Sequence, residues 1–250
     1  MARQRVGGRS WGLLDYAVGV VAAYALSWVA AAALTSRLSP LGAAAGVAAA
    51  AGEENPFLRS SGALDLYGVA VLQLPLSLTQ LAVVVNAAER KGRGLAAELG
   101  LRIRPVDALV GLGGGVAAQL LAALFYVALS PFLDTDDLSG PARSLTERAS
   151  VGGMAVVLLW LVVAVLAPVV EELVYRGLLL RSLERLLDRR LALVISSFLF
   201  AAVHIQLLQL PGLFIAGLTF GVIAQRSGRL GGAMLAHAVF NALSLVQLLR

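Results

Sequence analysis

Long apolar runs separated by short polar stretches dominate the chain, and this pattern sets its reading before any motif does. A helix rises about 1.5 Å per residue and needs roughly 20 apolar residues to cross the hydrocarbon of a bilayer. Seven runs are candidates, at about 11–35, 63–87, 106–130, 152–172, 191–207, 210–226 and 229–249. The fifth and sixth are short, and only Gln206, Gln209 and the Pro211-Gly212 pair break them apart. Leu41 to Ala51 is apolar but too short to span, and reads as a loop or re-entrant piece. Leu178 to Arg190 has Leu at helical spacing among Arg, Glu and Asp. It reads either as an amphipathic segment along the membrane interface or as a continuation of the fourth run. The pattern predicts an all-α fold: a polytopic transmembrane helix bundle of about seven spans.

Composition agrees with the pattern. Hydrophobic residues make up 59% of the chain and charged residues 14%, with a mean hydropathy of +0.83, well away from soluble averages. A net charge of +5 could suggest nucleic acid, but that reading needs a clustered basic face, and here the cations are scattered over the loops. Arg3, Arg5 and Arg9 precede the first run; Arg90, Lys91, Arg93, Arg102 and Arg104 follow the second. Arg176, Arg181, Arg185, Arg189 and Arg190 follow the fourth, and Arg226 and Arg229 separate the last two. The alternate loops are poorer in cations, and one carries Asp134, Asp136 and Asp137. Seven spans with a cytoplasmic N-terminus satisfy this distribution. Lys91 is the single lysine, which with the Ala, Leu and Gly bias fits a GC-rich bacterial genome and hence the bacterial plasma membrane. The first run could be a signal peptide cut near Ala31 to Ala33, but it exceeds the ~7–15 residues of such an apolar region and reads as a retained anchor. Cysteine is absent, so thiol nucleophiles and thiolate metal sites are excluded. Gly111 to Gly115 and Gly217 to Gly221 have the small-xxx-small spacing, read as helix packing.

Ionisable side chains inside membrane runs are costly and are functional candidates unless they sit at helix ends. Asp15, Asp65 and Asp107 do sit in first turns, where a helix N-terminus accommodates them. Glu171 and Glu172 differ, because they directly follow the apolar run Met154 to Val170. Two adjacent carboxylates repel unless one is paired or protonated. Glu172 has Arg176 one turn on, in the favourable order, whereas Glu171 is rotated by about 100° and lacks such a partner. Glu171 therefore reads as the reactive carboxylate, with Glu172 and Arg176 as its support. His204 and His237 are the only histidines, and Asn241 follows His237 by one turn. Together they offer a base, an orienter and an amide donor, the parts needed to activate water and stabilise an oxyanion. No HExxH is present. Gly8-Arg-Ser10-Trp-Gly12 matches GxSxG without the strand-turn-helix context that gives that motif meaning.

Glu171-Glu172-Leu-Val-Tyr-Arg176, Phe200-Ala-Ala-Val-His204 and His237-Ala-Val-Phe-Asn241 resemble, in order, the EExxxR, FxxxH and HxxxN motifs of the CPBP (Abi) family. That family includes CAAX prenyl endopeptidases and bacteriocin-immunity proteins. The resemblance covers about 152–249, which divides the chain into N-terminal helices over 1–150 and a CAAX-protease-like core over 151–250. It implies a glutamate-dependent intramembrane endopeptidase in which Glu171 and His204 activate water and His237 and Asn241 stabilise the oxyanion. Glu172, Arg176 and Phe200 would support them. The partners implied are membrane lipid and a membrane-associated peptide or protein, CaaX-like or otherwise lipid-anchored, with no nucleic acid. No cofactor is required in this reading. The alternative is zinc on Glu171, His204 and His237, a two-histidine, one-carboxylate set with an open position. Two other functions stay open at this point: a non-catalytic membrane partner of the immunity type, and a proton-coupled transporter, which would be expected to show an internal repeat. The run boundaries also leave a mismatch of depth. Glu171 falls near one end of the fourth run and His204 about 20 Å into the fifth, which a longer fourth helix would remove.

Overall fold

A computed structural model describes residues 12–35, 66–90, 94–132 and 153–248. Arg3, Arg5, Arg9, Ser10, Leu41 to Ala51, Asp65, Lys91, Arg93, Asp134, Asp136 and Asp137 lie outside the described residues, together with the readings placed on them. Helix α1 covers Leu13–Thr35, α2 Leu66–Arg90, the single turn α3 Leu95–Glu98, and α4 Val106–Leu129. Helix α5 runs through 153–183, α6 through Arg189–Ala202, α7 through Leu210–Ser227 and α8 through Gly231–Leu248. Each apolar run is thus a helix, and among the described residues there is no strand.

Length and hydropathy support fewer crossings than seven. Among the described residues, Val106–Leu129 and Val156–Leu183 are long and apolar enough to cross a membrane, and Leu13–Ser27 is a shorter apolar helix. The shortfall has a physical cause. Helix α6 has 14 residues and opens on Arg189 and Arg190. Helix α2 carries Gln73, Ser77 and Gln80 around an internal Pro75, and Ser77 and Gln80 are buried. Such helices turn polar side chains into the protein and lose apolar length.

Two boundaries shift from the sequence reading. Helix α5 continues past Glu172 to Leu183, and Leu178, Leu179 and Leu180 are buried in the core. This stretch is therefore not an interfacial amphipathic segment. Helix α6 ends at Ala202, which leaves His204 in the turn beyond it. Asp188 starts α6 by accepting hydrogen bonds from the Arg190 and Leu191 amides, an N-cap that pins where the chain reverses. Counted from that reversal, Glu171 lies ~18 Å back along α5, and the end of α6 at Ala202, just before His204, lies ~20 Å along it. The depth mismatch disappears.

Helix α5 packs against α1, α2, α6, α7 and α8, while α4 packs against α7 and α8. The two small-residue motifs lie at close helix approaches. A Cβ on Gly115 would stand 2.6 Å from the Ala236 carbonyl oxygen and 2.6 Å from Val239 Cβ on α8. A Cβ on Gly217 would stand 3.1 Å from Ser197 Cβ and 3.2 Å from the Phe200 ring on α6. Both stripes are internal packing surfaces, as their spacing suggests.

Asp107 has the structural place expected of an acid in a first turn. It is buried and accepts from the Arg104 amide at 2.8 Å and from Arg229 at 2.7 and 3.0 Å, which ties the start of α4 to the α7–α8 connection. The bond from Asp107 raises the Arg229 guanidinium above its ordinary value. Two arginines at the ends of α5 and α6 also close other helices. Arg181 donates to the Glu98 and Gly228 carbonyls and Arg189 to that of Gln225, beside a cavity of about 300 Å³ that Arg176 also lines. Cations at helix C-termini satisfy orphan carbonyls and the helix dipole.

The glycine contacts make a paired prediction. Gly115→Ala must displace backbone and Val239, and is expected to destabilise the folded protein by about 1–3 kcal/mol. Gly113→Ala, with nothing within 4 Å of the added carbon, is expected to be neutral or slightly stabilising, since Ala is the better helix former. Thermal unfolding of the two variants in one detergent checks the contrast.

Candidate active site

The site is built on the middle of α5, which changes its winding twice. Leu161–Leu166 is π-helical, Ala167–Glu172 is α-helical, and Leu173–Leu180 is π-helical again. Wide turns of this kind are rare and recur at functional positions. Glu171 and Glu172 stand at the junction between the second and third segments.

Glu172 and Arg176 form the ion pair that their spacing predicts. Arg176 Nη1 donates to Glu172 Oε1 at 2.8 Å, and both side chains are 0% exposed. A second guanidinium nitrogen is held as well, while Arg176 Nε and Glu172 Oε2 are buried without a hydrogen-bond partner among the described residues. Nη2 donates to the Gly217 carbonyl at 2.9 Å, and the carbon of the group lies 4.4 Å from the Phe200 ring centroid and 5.5 Å from that of Phe220. A buried charge flanked by two aromatic faces gains cation–π stabilisation where water is excluded.

His237 lies between the two glutamates. Its Nδ1 is 3.0 Å from Glu172 Oε1, and its Nε2 is 3.7 Å from Glu171 Oε2. Arg176 keeps Glu172 as an acceptor, so Nδ1 carries the hydrogen and Nε2 presents its lone pair toward Glu171 in the neutral ring. The 3.7 Å separation is too long for a direct hydrogen bond. Phe220 stacks on the imidazole at 4.8 Å with an interplanar angle of 20°, and Phe200 meets it edge-on at 5.6 Å.

His204 is fixed in a similar way. Its Nδ1 is 2.8 Å from the Phe200 carbonyl one turn back. A carbonyl only accepts, so Nδ1 is the donor and Nε2 is left bare. The ring meets Phe200 edge-on at 5.1 Å, so both histidines border the same aromatic side chain. Tyr24 on α1 secures the turn by donating to the Val203 carbonyl at 2.8 Å. Ile205 follows with φ of 53°, a left-handed conformation unfavourable for a β-branched residue.

The fold thus gathers Glu171, Glu172, Arg176, Phe200 and His237 into one cluster and sets His204 at its aromatic wall. Glu171 is the more accessible carboxylate, with 18% of its side chain exposed against 0% for Glu172. Two contacts bear on the expected roles. The near partner of Glu171 is His237; among the described residues no hydrogen bond or ion pair joins Glu171 to His204. Asn241 Nδ2 donates to the Val163 carbonyl at 2.8 Å, so one of its two amide hydrogens is already engaged. Among the described residues no group of three His, Asp or Glu side chains is placed to hold a metal ion.

Sequence reasoning did not reach Phe220, Gly217 or Tyr24. Phe220 and Tyr24 carry no polar mark within their apolar runs. Gly217 did carry a signal, the Gly217 to Gly221 spacing, but its carbonyl contact with Arg176 follows only from how the helices cross.

Residues 153–243 match the family model described as type II CAAX prenyl endopeptidase Rce1-like. The match contains every candidate site residue, from Glu171 to Asn241. No curated protein and no solved structure gives a match.

The geometry separates the two glutamates by the cost of neutralising each. Glu172→Gln leaves the buried Arg176 charge without its counter-ion and is expected to cost about 3–5 kcal/mol of stability. Glu171→Gln keeps shape and breaks no hydrogen bond, so it is expected to cost about 1 kcal/mol or less. Denaturant unfolding of the purified variants decides it; equal losses would remove the distinction between the two carboxylates.

Proposed function

Because residues 153–243 match the family model of type II CAAX prenyl endopeptidases, Rce1-like, we propose that the chain is a CAAX-type intramembrane endopeptidase. It hydrolyses peptide bonds of membrane-associated substrates, CaaX-like or otherwise lipid-anchored, by water that glutamate and histidine activate. The observation that carries this reading is the placement of His237 between Glu172 at 3.0 Å and Glu171 at 3.7 Å, inside a buried aromatic and guanidinium frame.

In this mechanism Glu171 and the bare Nε2 of His204 bind a water and take its proton as the oxygen attacks the scissile carbonyl carbon. The carbonyl π electrons move onto oxygen. His237 and the free amide hydrogen of Asn241 stabilise that charge. His237 does so as an imidazolium whose Nε2 proton is taken from solvent before the attack, with Glu172 balancing the charge through Nδ1. The proton held by Glu171 then passes to the departing amine nitrogen, the C–N bond breaks, and an amine and a carboxylic acid leave, the acid losing its proton to solvent. No step uses a metal. The low-dielectric surroundings strengthen each of these interactions relative to water.

The remaining elements of the proposal concern place. The protein is integral to the bacterial plasma membrane with its N-terminus in the cytoplasm, and lipid and a lipid-anchored polypeptide are its partners.

Purified protein in lipid, given a library of membrane-anchored peptides not restricted to prenylated tails, is expected to release fragments cut close to the membrane surface. Glu171→Gln and His204→Ala are expected to lower the rate by about 10²–10⁴-fold, the range of general-base contributions. Cleavage is expected to survive exhaustive chelation. Activity restored only by zinc would replace the direct role of Glu171 by a metal one. If no peptide is cut, yet His204→Ala or His237→Ala still abolishes a cellular phenotype, a non-catalytic binding role takes over.

A further inference from the structure

Pro168 stands on α5, three residues before Glu171, and has no N–H to give. The helix is wide where it approaches this residue, and the Ala167 amide donates five residues back, to the Val162 carbonyl. The Val163 carbonyl thereby loses both donors that a helix could offer it. The donor four residues ahead, Ala167, is used by Val162. The donor five residues ahead would be Pro168. In an apolar helix no solvent replaces them, and an orphan carbonyl is costly. Asn241 supplies the missing hydrogen bond from another helix, at 2.8 Å.

The position of this bond matters more than its existence. Asn241 lies one turn beyond His237 on α8, and α8 packs on both the π-helical segment Leu161–Leu166 and the following Ala167–Glu172. The bond therefore joins α8 to α5 just beside the contacts of His237 with Glu172 and Glu171. Sliding α8 by one residue against α5 would break it and carry His237 off both carboxylates.

We infer that Asn241 is a positioning residue: it takes up the Val163 carbonyl that Pro168 and the wide turn leave unpaired, and so sets the register of α8 that places His237 between the glutamates. The inference rests on the proposed hydrolase for its activity readout and deepens that reading. It turns the pairing of Pro168 with Asn241 into a lock between two helices.

Three variants of the full chain in lipid test it: Asn241→Ala, Pro168→Ala, and the two combined. Ala at 168 restores an amide, so in either winding Val163 regains a donor without Asn241. Asn241→Ala alone is expected to lower kcat by about 10³-fold with little change in KM, about tenfold for the lost hydrogen bond to Val163 on top of about 10²-fold for the lost oxyanion donor. It is also expected to speed amide hydrogen exchange in 231–248. In the Pro168→Ala background the same substitution is expected to cost about tenfold less, the oxyanion share alone, with exchange returned near the parent. An equal loss in both backgrounds overturns the inference and leaves Asn241 acting on the substrate alone. If the parent protein cleaves nothing, the hydrolase reading fails while the exchange measurement still decides: a rise reversed by Pro168→Ala supports the lock, and no rise or an unreversed one overturns it. Should Asn241→Ala not fold, recovery of folded protein in the double variant supports the lock, and failure of the double variant to fold overturns it.

Discussion

The ion pair between Glu172 and Arg176 is the constraint around which the C-terminal helices are arranged. Both side chains are shut off from solvent. Taking two charges out of water costs several kcal/mol each, and their attraction repays this only when further hydrogen bonds and good geometry are supplied. The fold supplies them from three other helices. The Gly217 carbonyl on α7 takes Nη2, the rings of Phe200 on α6 and Phe220 on α7 flank the guanidinium, and His237 on α8 shares the carboxylate oxygen. The pair therefore acts as the hub that specifies where α6, α7 and α8 stand relative to α5.

This division of labour explains how two neighbouring carboxylates can coexist in an apolar setting. Glu172 spends its charge on the buried network. Glu171 stays at the edge of the cluster, partly exposed and linked to it only by the 3.7 Å approach to His237 Nε2. Anchoring both histidines through Nδ1, one on a carboxylate and one on a backbone carbonyl, leaves both Nε2 atoms available. Rigid support of this kind is what a reactive site needs if its geometry is to be set before substrate arrives.

Helix α5 carries the cost of the arrangement in its own backbone. Its two π-helical segments flank the glutamates, and Pro168 between them removes a donor. Within an apolar helix such a defect persists only if another element repairs it, and Asn241 does so from α8. The glycine stripes serve the same end by bringing α4 onto α8 and α7 onto α6 closely enough for these reaches to close.

The sequence alone was enough to establish an all-helical apolar chain, seven helices in their approximate places, the Glu172–Arg176 pair, and Phe200 and His237 as residues near it. These follow from local rules: apolar run length, the 3.6-residue repeat that sets Arg176 one turn from Glu172, and the cost of ionisable groups in apolar runs. Local rules did not determine how far α5 continues, because Leu178 to Leu183 reads equally well as interface or core until neighbouring helices cover it. They did not set the number of membrane crossings, since the buried Ser77 and Gln80 of α2 count against hydropathy while facing other helices. Nor could they reveal that His237 rather than His204 approaches Glu171, or that Asn241 turns to Val163. Those choices depend on the relative register of helices 65 or more residues apart in the chain, and register is decided by which side chains and carbonyls meet when the whole bundle packs.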